Sequence, residues 1–219
     1  MSIKIENIVG PSPQQFDAVI RGLRNPMNSW EKSDSSFFAD PLTGEWKIDI
    51  GDADLSLMRN LAKAGSDHRK YLRQLPVIMD LTAPLYWWKE MDQYKVGTVT
   101  NSCSTMHTIH KKPFSFDDFS MEEIAGTGMV RSPVSVMTEV IDMLNEARAK
   151  YLETNDKKYW MILIQTLPAS YNQKRTLSCN YEVLWNMVQA RKSHKLWEWR
   201  QFCITISEEV PYFKEIFEI

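Results

Sequence analysis

The sequence predicts a helix-rich α+β protein, folded as a single domain over residues 1–219 with a small sheet. Three observations predict it. Apolar residues recur at helical spacing, most plainly Met137, Val140, Ile141, Leu144 and Tyr151 within 134–152. One run, LPVIMDLT at 75–82, is instead β-branched or large apolar almost throughout and reads as a strand. And 219 residues with 43% hydrophobic content bury one real core more readily than two.

Taken in order, QQFDAVIRGLRN at 14–25 reads as a short helix that Pro26 ends, because the residue before a proline avoids the helical region. Residues 31–54 read as a polar, turn-rich connection. From Leu55 to Ala64, apolar residues at 57, 58 and 61 fit a helix capped by Asp52 or Asp54 and left through Gly65. The strand at 75–82 leads into a helix, LYWWKEMDQYK, with Pro84 in its first turn. The Thr-, Ser- and Asn-rich stretch VGTVTNSCSTMHTIHKK reads as a loop. Ser120 to Glu123 resembles a capping box opening a short helix, and the long amphipathic helix at 134–152 follows. YWMILIQTL (159–167) stops at Pro168, and two helices at 181–191 and 194–207 meet at Ser193, a natural cap.

A formal net charge of −2, with no block of Lys/Arg, gives no global attraction to nucleic acid or to an anionic membrane, so any bound phosphate must be held locally. The apolar runs, such as MILI at 161–164, are far shorter than the roughly 20 residues that cross a bilayer. MSIKIENIVG lacks a signal-peptide apolar region, so a cytoplasmic location is expected. Cys103, Cys179 and Cys203 suit neither a disulfide framework nor a zinc site, and no metal is expected. None of the eight glycines forms a dinucleotide or P-loop motif, the lone GTG at 126–128 being too little. Cys103 and His107, four apart, read as an accidental pair rather than a catalytic dyad. Trp87-Trp88 and Trp197-x-Trp199 are the residue types that stack ligands, but beside core-type neighbours they read as packing.

The stretch NYEVLWNMVQARKSH (180–194) raises the functional question, because Asn180, Asn186 and Arg191 stand among large apolar neighbours and cost free energy to bury without partners. On an ideal helix Asn180 and Arg191 fall on one face and Asn186 well away, so the three cannot all touch one small ligand; Asn180 is expected before or at the helix start. Leu167-Pro168, then Asn180, Leu184, Asn186 and Arg191, resembles the flavin-dependent thymidylate synthases, where a Leu-Pro precedes an N-x-R-x-L-x-N-F-x-x-L-R helix. PVIMDLTAPLYWWKEMDQYK is similar to that family's strand, Ala-Pro and helix running into R-H-R-x-x-S-x-N-E-x-S-x-R-Y. Ungapped, Gln93-Tyr94-Lys95 falls on R-H-R. NSCS (101–104) matches N-E-x-S with one inserted residue, putting Asn101 and Ser104 on the pattern; without the insertion Cys103 takes the serine position. His68 falls where the family has a flavin-contacting histidine, and AVIRGLRNPMNSW (18–30) loosely resembles its N-terminal region.

The resemblance implies a thymidylate-synthase-complementing-protein-like fold with a mostly antiparallel sheet. It implies a homotetramer sharing active sites, with FAD as cofactor, and transfer of a one-carbon unit from methylenetetrahydrofolate to C5 of dUMP or a related pyrimidine nucleotide, with NADPH as reductant. By the same analogy Arg191 is the catalytic arginine facing the pyrimidine. His68, Lys95, Asn101, Asn180 and Asn186 bind the cofactor. Lys89, Ser104 and Arg191 bind the nucleotide. The pattern is eroded: Ser102 replaces its glutamate, Met106-His107 its R-Y, and Glu182 its helix arginine, a charge reversal. Ile164 and Gln165 stand where family members often carry a phosphate-binding arginine, which leaves Lys174, Arg175 or His110 to take over. The alternatives are a flavin- or nucleotide-binding homologue without synthase activity, and a structural role for Asn186 and Arg191 at an oligomer interface.

Overall fold

The structure, a computed structural model, describes residues 3–124 and 128–219. In chain order it comprises β1 (Lys4–Val9), α1 (Pro13–Arg24), β2 (Ser36–Ala39), β3 (Trp46–Asp49), α2 (Asp52–Lys63), β4 (Pro76–Pro84), α3 (Leu85–Met91), β5 (Val99–Ser102), α4 (Thr105–Thr108), α5 (Pro133–Thr154), α6 (Lys157–Thr166), β6 (Asn172–Asn180), α7 (Tyr181–Arg191), α8 (Trp197–Glu209) and α9 (Phe213–Phe217). The strands form a sheet in the order β1-β4-β6-β5 and an antiparallel β2–β3 hairpin. The helix-rich α+β class with small antiparallel sheets is thus observed. Contacts divide the chain into two compact units, each built from separate stretches of sequence.

The first unit draws its described residues from Met1–Lys4, Leu81–Gln93 and Asn101–Thr176. Its helical hairpin is punctuated as the sequence suggests. Ser132 caps α5 ahead of Pro133, Asn155 leaves it at φ 53°, and Asp156 caps α6. The two helices bury Leu144, Ala147 and Leu163 with Ile109, Phe114 and Phe119. The loop carrying those last three is strapped to α5 by Asn145, which accepts from the Phe114 N–H at 2.8 Å and donates to its carbonyl at 2.9 Å, and by Arg148, which donates to the His110 carbonyl. Trp87 and Trp88 are fully buried, and the Trp88 indole donates to the Gln173 carbonyl, so both pack rather than present faces to a ligand.

The second unit is Ile5–Asp80, Tyr94–Thr100 and Leu177–Ile219. Phe16, Tyr181, Trp199, Phe202 and Phe213 fill its core. A buried ion pair joins α1 to α2: the Arg24 Nε lies 2.6 Å from Asp54, whose other oxygen accepts from the Ser33 and Ser35 hydroxyls and from two backbone N–H groups. Burial pushes the Asp54 carboxyl up, but the hydrogen bonds from Ser33, Ser35 and Arg24 outweigh it and hold it below the ordinary range.

Several expectations are corrected. Asn25 stays right-handed helical (φ −54°, ψ −46°) and Pro26 sits inside a following 3-10 turn, so α1 tightens there instead of being cut by an extended residue. Residues 31–54 contain the β2–β3 hairpin, with the Phe37 and Trp46 rings stacked 4.6 Å apart. Asp52 and Asp54 lie inside α2, and the cap comes from a distant residue, Asp34, whose carboxylate accepts from the Ala53 and Asp54 N–H groups. Gly65 leaves as expected, at φ +104°. Pro84 ends β4 and precedes α3, which stops at Met91 rather than Lys95. The polar loop after it holds β5 and α4. A short 3-10 helix, Glu122–Ile124, follows Ser120, whose hydroxyl donates to Asn172; the Glu123 side chain of the expected capping box, and part of the GTG, lie outside the described residues. Ser193 does not cap α8, which begins after Leu196, whose N–H donates to His194 Nδ1.

Candidate functional site

Helix α7 is the natural starting point, and its three polar residues face three different surroundings in the second unit. Asn180 ends β6 and caps the helix, its Oδ1 accepting from the Val183 N–H at 3.1 Å. That leaves the Nδ2 donor for a partner. The loop carrying Lys95 runs close by: Gly97, at φ +77°, has room for no side chain, since a Cβ there would stand 2.8 Å from Val183 and 3.4 Å from Asn180 Nδ2.

At the other end, Arg191 is half-buried and held by aromatic groups. Its Nε donates to the Tyr94 hydroxyl at 3.0 Å, and its guanidinium lies 4.9 Å from the centre of the Trp199 ring and 5.7 Å from that of Tyr94. A guanidinium over aromatic faces gains cation–π attraction and keeps a fixed plane. Tyr94 carries no sequence signal as its partner, since it aligns only with an unmatched motif position. Trp199 was readable only as packing, and packing is what it does: it is fully buried beneath the arginine.

Asn186 is exposed and turns to the third side, accepting from Arg69 Nη2 at 3.3 Å. One turn earlier Glu182 takes the Nε groups of both Arg69, at 2.9 Å, and Arg73. The bond from Arg73, with Arg69 behind it, holds the Glu182 carboxyl below the ordinary range despite partial burial. The Glu182 carboxylate is therefore a paired one. His68 adjoins Arg69 in an exposed turn, and Lys95 is also exposed.

In the first unit a cavity of about 640 Å³ is lined by Ser104, Cys103, Tyr171, Gln173 and the lysines 4, 111, 112 and 174, against Asp117 and Asp118. Lys112 is tied to Asp118. A volume in the range of small-molecule sites with an excess of cationic groups suits an anionic ligand of nucleotide size. Ser104 lies at its edge but also caps α4, accepting from the His107 N–H. Both Cys103 and Ser104 line the space, so the serine alignment stays open. Of the three residues expected as phosphate-binding candidates, Lys174, Arg175 and His110, Lys174 lines the cavity. Arg175 is engaged elsewhere, stacked 4.2 Å from the Trp88 ring and bonded to Asp92 at 2.7 Å, and His110 packs its edge on Tyr151. Asn101 on β5 and Lys89 on α3 are exposed and line no part of it. Among the described residues no cluster of His, Cys, Asp or Glu is arranged to hold a metal, and no helix is long and apolar enough to cross a membrane.

No protein-family model matches the chain, and no curated protein matches it in sequence. Solved structures do. Two crystal structures of the flavin-dependent thymidylate synthase ThyX from Helicobacter pylori, each with FAD and dUMP, match at a TM-score of 0.67 and 17% identity, covering 99% of this chain and 97% or 96% of theirs. Over essentially its whole length, this chain has the fold of a flavin-dependent thymidylate synthase.

Proposed function

We propose that residues 1–219 act as one domain of an FAD-dependent enzyme that transfers a one-carbon unit from methylenetetrahydrofolate to C5 of dUMP or a related pyrimidine nucleotide, with NADPH as reductant. The observation that carries this reading is Arg191. The residue that the sequence resemblance makes catalytic is the one whose guanidinium the fold fixes between a hydroxyl and two aromatic rings.

The donor set suits the cofactor. His68, Lys95 and Asn101 are exposed, Asn180 keeps an amide donor, and Asn186 keeps its own while its carbonyl is held by Arg69. Such amide and cationic donors match the carbonyl, ring-nitrogen and phosphate acceptors of an extended dinucleotide. When bound, FAD supplies hydride transfer. The chain's own part is binding and charge. Arg191 stabilises the negative charge that develops on the pyrimidine carbonyls as C5 attacks the carbon donor, and its fixed plane avoids reorganisation at that moment. Ser104 and Lys174 hold the nucleotide phosphate through a hydroxyl and a compact positive charge, with Lys89 a further cation for the nucleotide. A homotetramer with shared sites, in the cytoplasm, belongs to the same reading.

The test is mass spectrometry of the nucleotide after single turnover with FAD, NADPH and methylenetetrahydrofolate. A 5-methylated pyrimidine nucleotide with the wild type, and none with Arg191→Ala at unchanged oligomer size, is expected; no methylated product from any pyrimidine nucleotide overturns it. A second reading, a flavin- or nucleotide-binding protein without carbon transfer, draws on Glu182, whose charge departs from the motif. It predicts FAD- or dUMP-induced thermal stabilisation with no product.

A further inference from the structure

Arg69 immediately precedes the 3-10 turn Lys70–Gln74 and Arg73 lies within it, four residues on, and both direct their Nε edges to the single carboxylate of Glu182. Arg69 Nη2 continues to Asn186, and Arg73 Nη2 donates to Glu182 and, at 3.2 Å, to the Ser66 carbonyl. The Nη1 groups of both have no hydrogen-bond partner among the described residues. Both side chains reach solvent, Arg69 at 20% and Arg73 at 49% exposure, with Glu182 at 12% beneath them. One carboxylate thus faces two guanidiniums, with Asp67 the further charge that acts on Arg73.

A purely structural tie would need one arginine. A second guanidinium on the same carboxylate adds little to stability near a surface and brings two like charges together. The arrangement becomes favourable when an anion reaches the outer edges, because planar guanidiniums already oriented by Glu182 grip phosphate oxygens at small entropic cost. Glu182 stands where the resembling motif has an arginine. Glutamate plus two arginines restores the single positive charge at that place and moves the donors onto the facing turn.

We propose that Arg69 and Arg73 form a binding site for the phosphates of a dinucleotide or nucleotide, with Glu182 as their positioning residue. The flavin dinucleotide is the expected source of those phosphates, which rests on the function proposed above. The experiment titrates FAD, riboflavin and dUMP against the wild-type protein, Arg69→Ala/Arg73→Ala, and the same double variant carrying Glu182→Arg, with flavin fluorescence or calorimetry as readout and thermal unfolding as a check on folding. The double variant should lose FAD affinity by about tenfold or more, as expected for lost charge-assisted hydrogen bonds, and keep its affinity for riboflavin, which has no phosphate. Adding Glu182→Arg should return most of the loss. A loss confined to dUMP assigns the same site to the nucleotide phosphate. Should the double variant fail to fold, Arg73→Ala, at the more exposed position, carries the test with the same expectations. A folded variant that binds FAD and dUMP as the wild type does overturns the site. A wild type that binds dUMP but takes up no FAD overturns the flavin reading and leaves the dUMP titration to decide the site; a wild type that binds neither overturns both.

Discussion

At the scale of the residue, Arg191 shows how a charge is made into a tool by its neighbours. Its Nε donates to the Tyr94 hydroxyl and its plane rests on Trp199, so the guanidinium is held in a fixed orientation. Tyr94→Phe removes the hydroxyl and keeps the ring; under the proposed function it should lower kcat about tenfold with little change in KM, since orientation in the transition state is what is lost. Equal loss in KM alone would instead make Tyr94 a binding residue. Asp54 is the corresponding case for stability. Asp54→Ala strands the buried Arg24 and leaves the Ser33 and Ser35 hydroxyls without their acceptor, which should cost about 3–5 kcal/mol in denaturant unfolding. Neither partnership had a local signature: Tyr94 lies 97 positions from Arg191, and Arg24 lies 30 from Asp54.

At the scale of the element, α7 begins with a cap and is tied down by an ion cluster. Asn180→Ala removes the acceptor of the Val183 N–H and should cost about 1 kcal/mol, read from urea unfolding. The tie at Glu182 has a definite pH dependence. Its folded-state pKa lies below the unfolded value, so the stabilisation is complete above the ordinary glutamate range and is lost as pH falls through the folded value. Wild-type thermal stability should therefore fall more steeply than that of Glu182→Gln as the pH drops below that range; parallel curves would show that the tie does not stabilise the fold.

The elements legible in the sequence were those that carry their own period and punctuation. The helices at 14–25 and 134–152 and the strand at 75–82 were read from side-chain pattern, and each is present within a few residues. What was missed is held by partners far along the chain. The β2–β3 strands are four residues each and largely exposed, too short for an alternation to register. The strand β6, NQKRTLSCN, carries polar and charged residues that mask its role in the sheet. The caps of α2 and α8 went to the wrong residues for the same reason. Asp34 reaches α2 from a different loop, and the His194 ring displaces Ser193 by bonding to the Leu196 N–H.

At the scale of the molecule, the fold is shared where little of the sequence is. The chain shares the fold of the Helicobacter pylori ThyX structures at 17% identity, and its resemblance to the family's motif rests on a thin set of positions, Asn180, Leu184, Asn186 and Arg191 above all. Burial and packing constrain a fold through many interchangeable apolar positions, whereas a binding motif depends on a few polar ones. That is why the architecture was within reach of the sequence and the cationic groups were not. Arg69, Arg73 and the lysines of the first unit's cavity place cationic groups away from those four positions. The most direct measurement of the central claim is the visible absorption spectrum of the purified protein incubated with FAD and desalted, before and after NADPH. A flavin spectrum that survives desalting and bleaches on addition of NADPH is expected; a colourless protein after desalting, with no FAD taken up, overturns the proposed function.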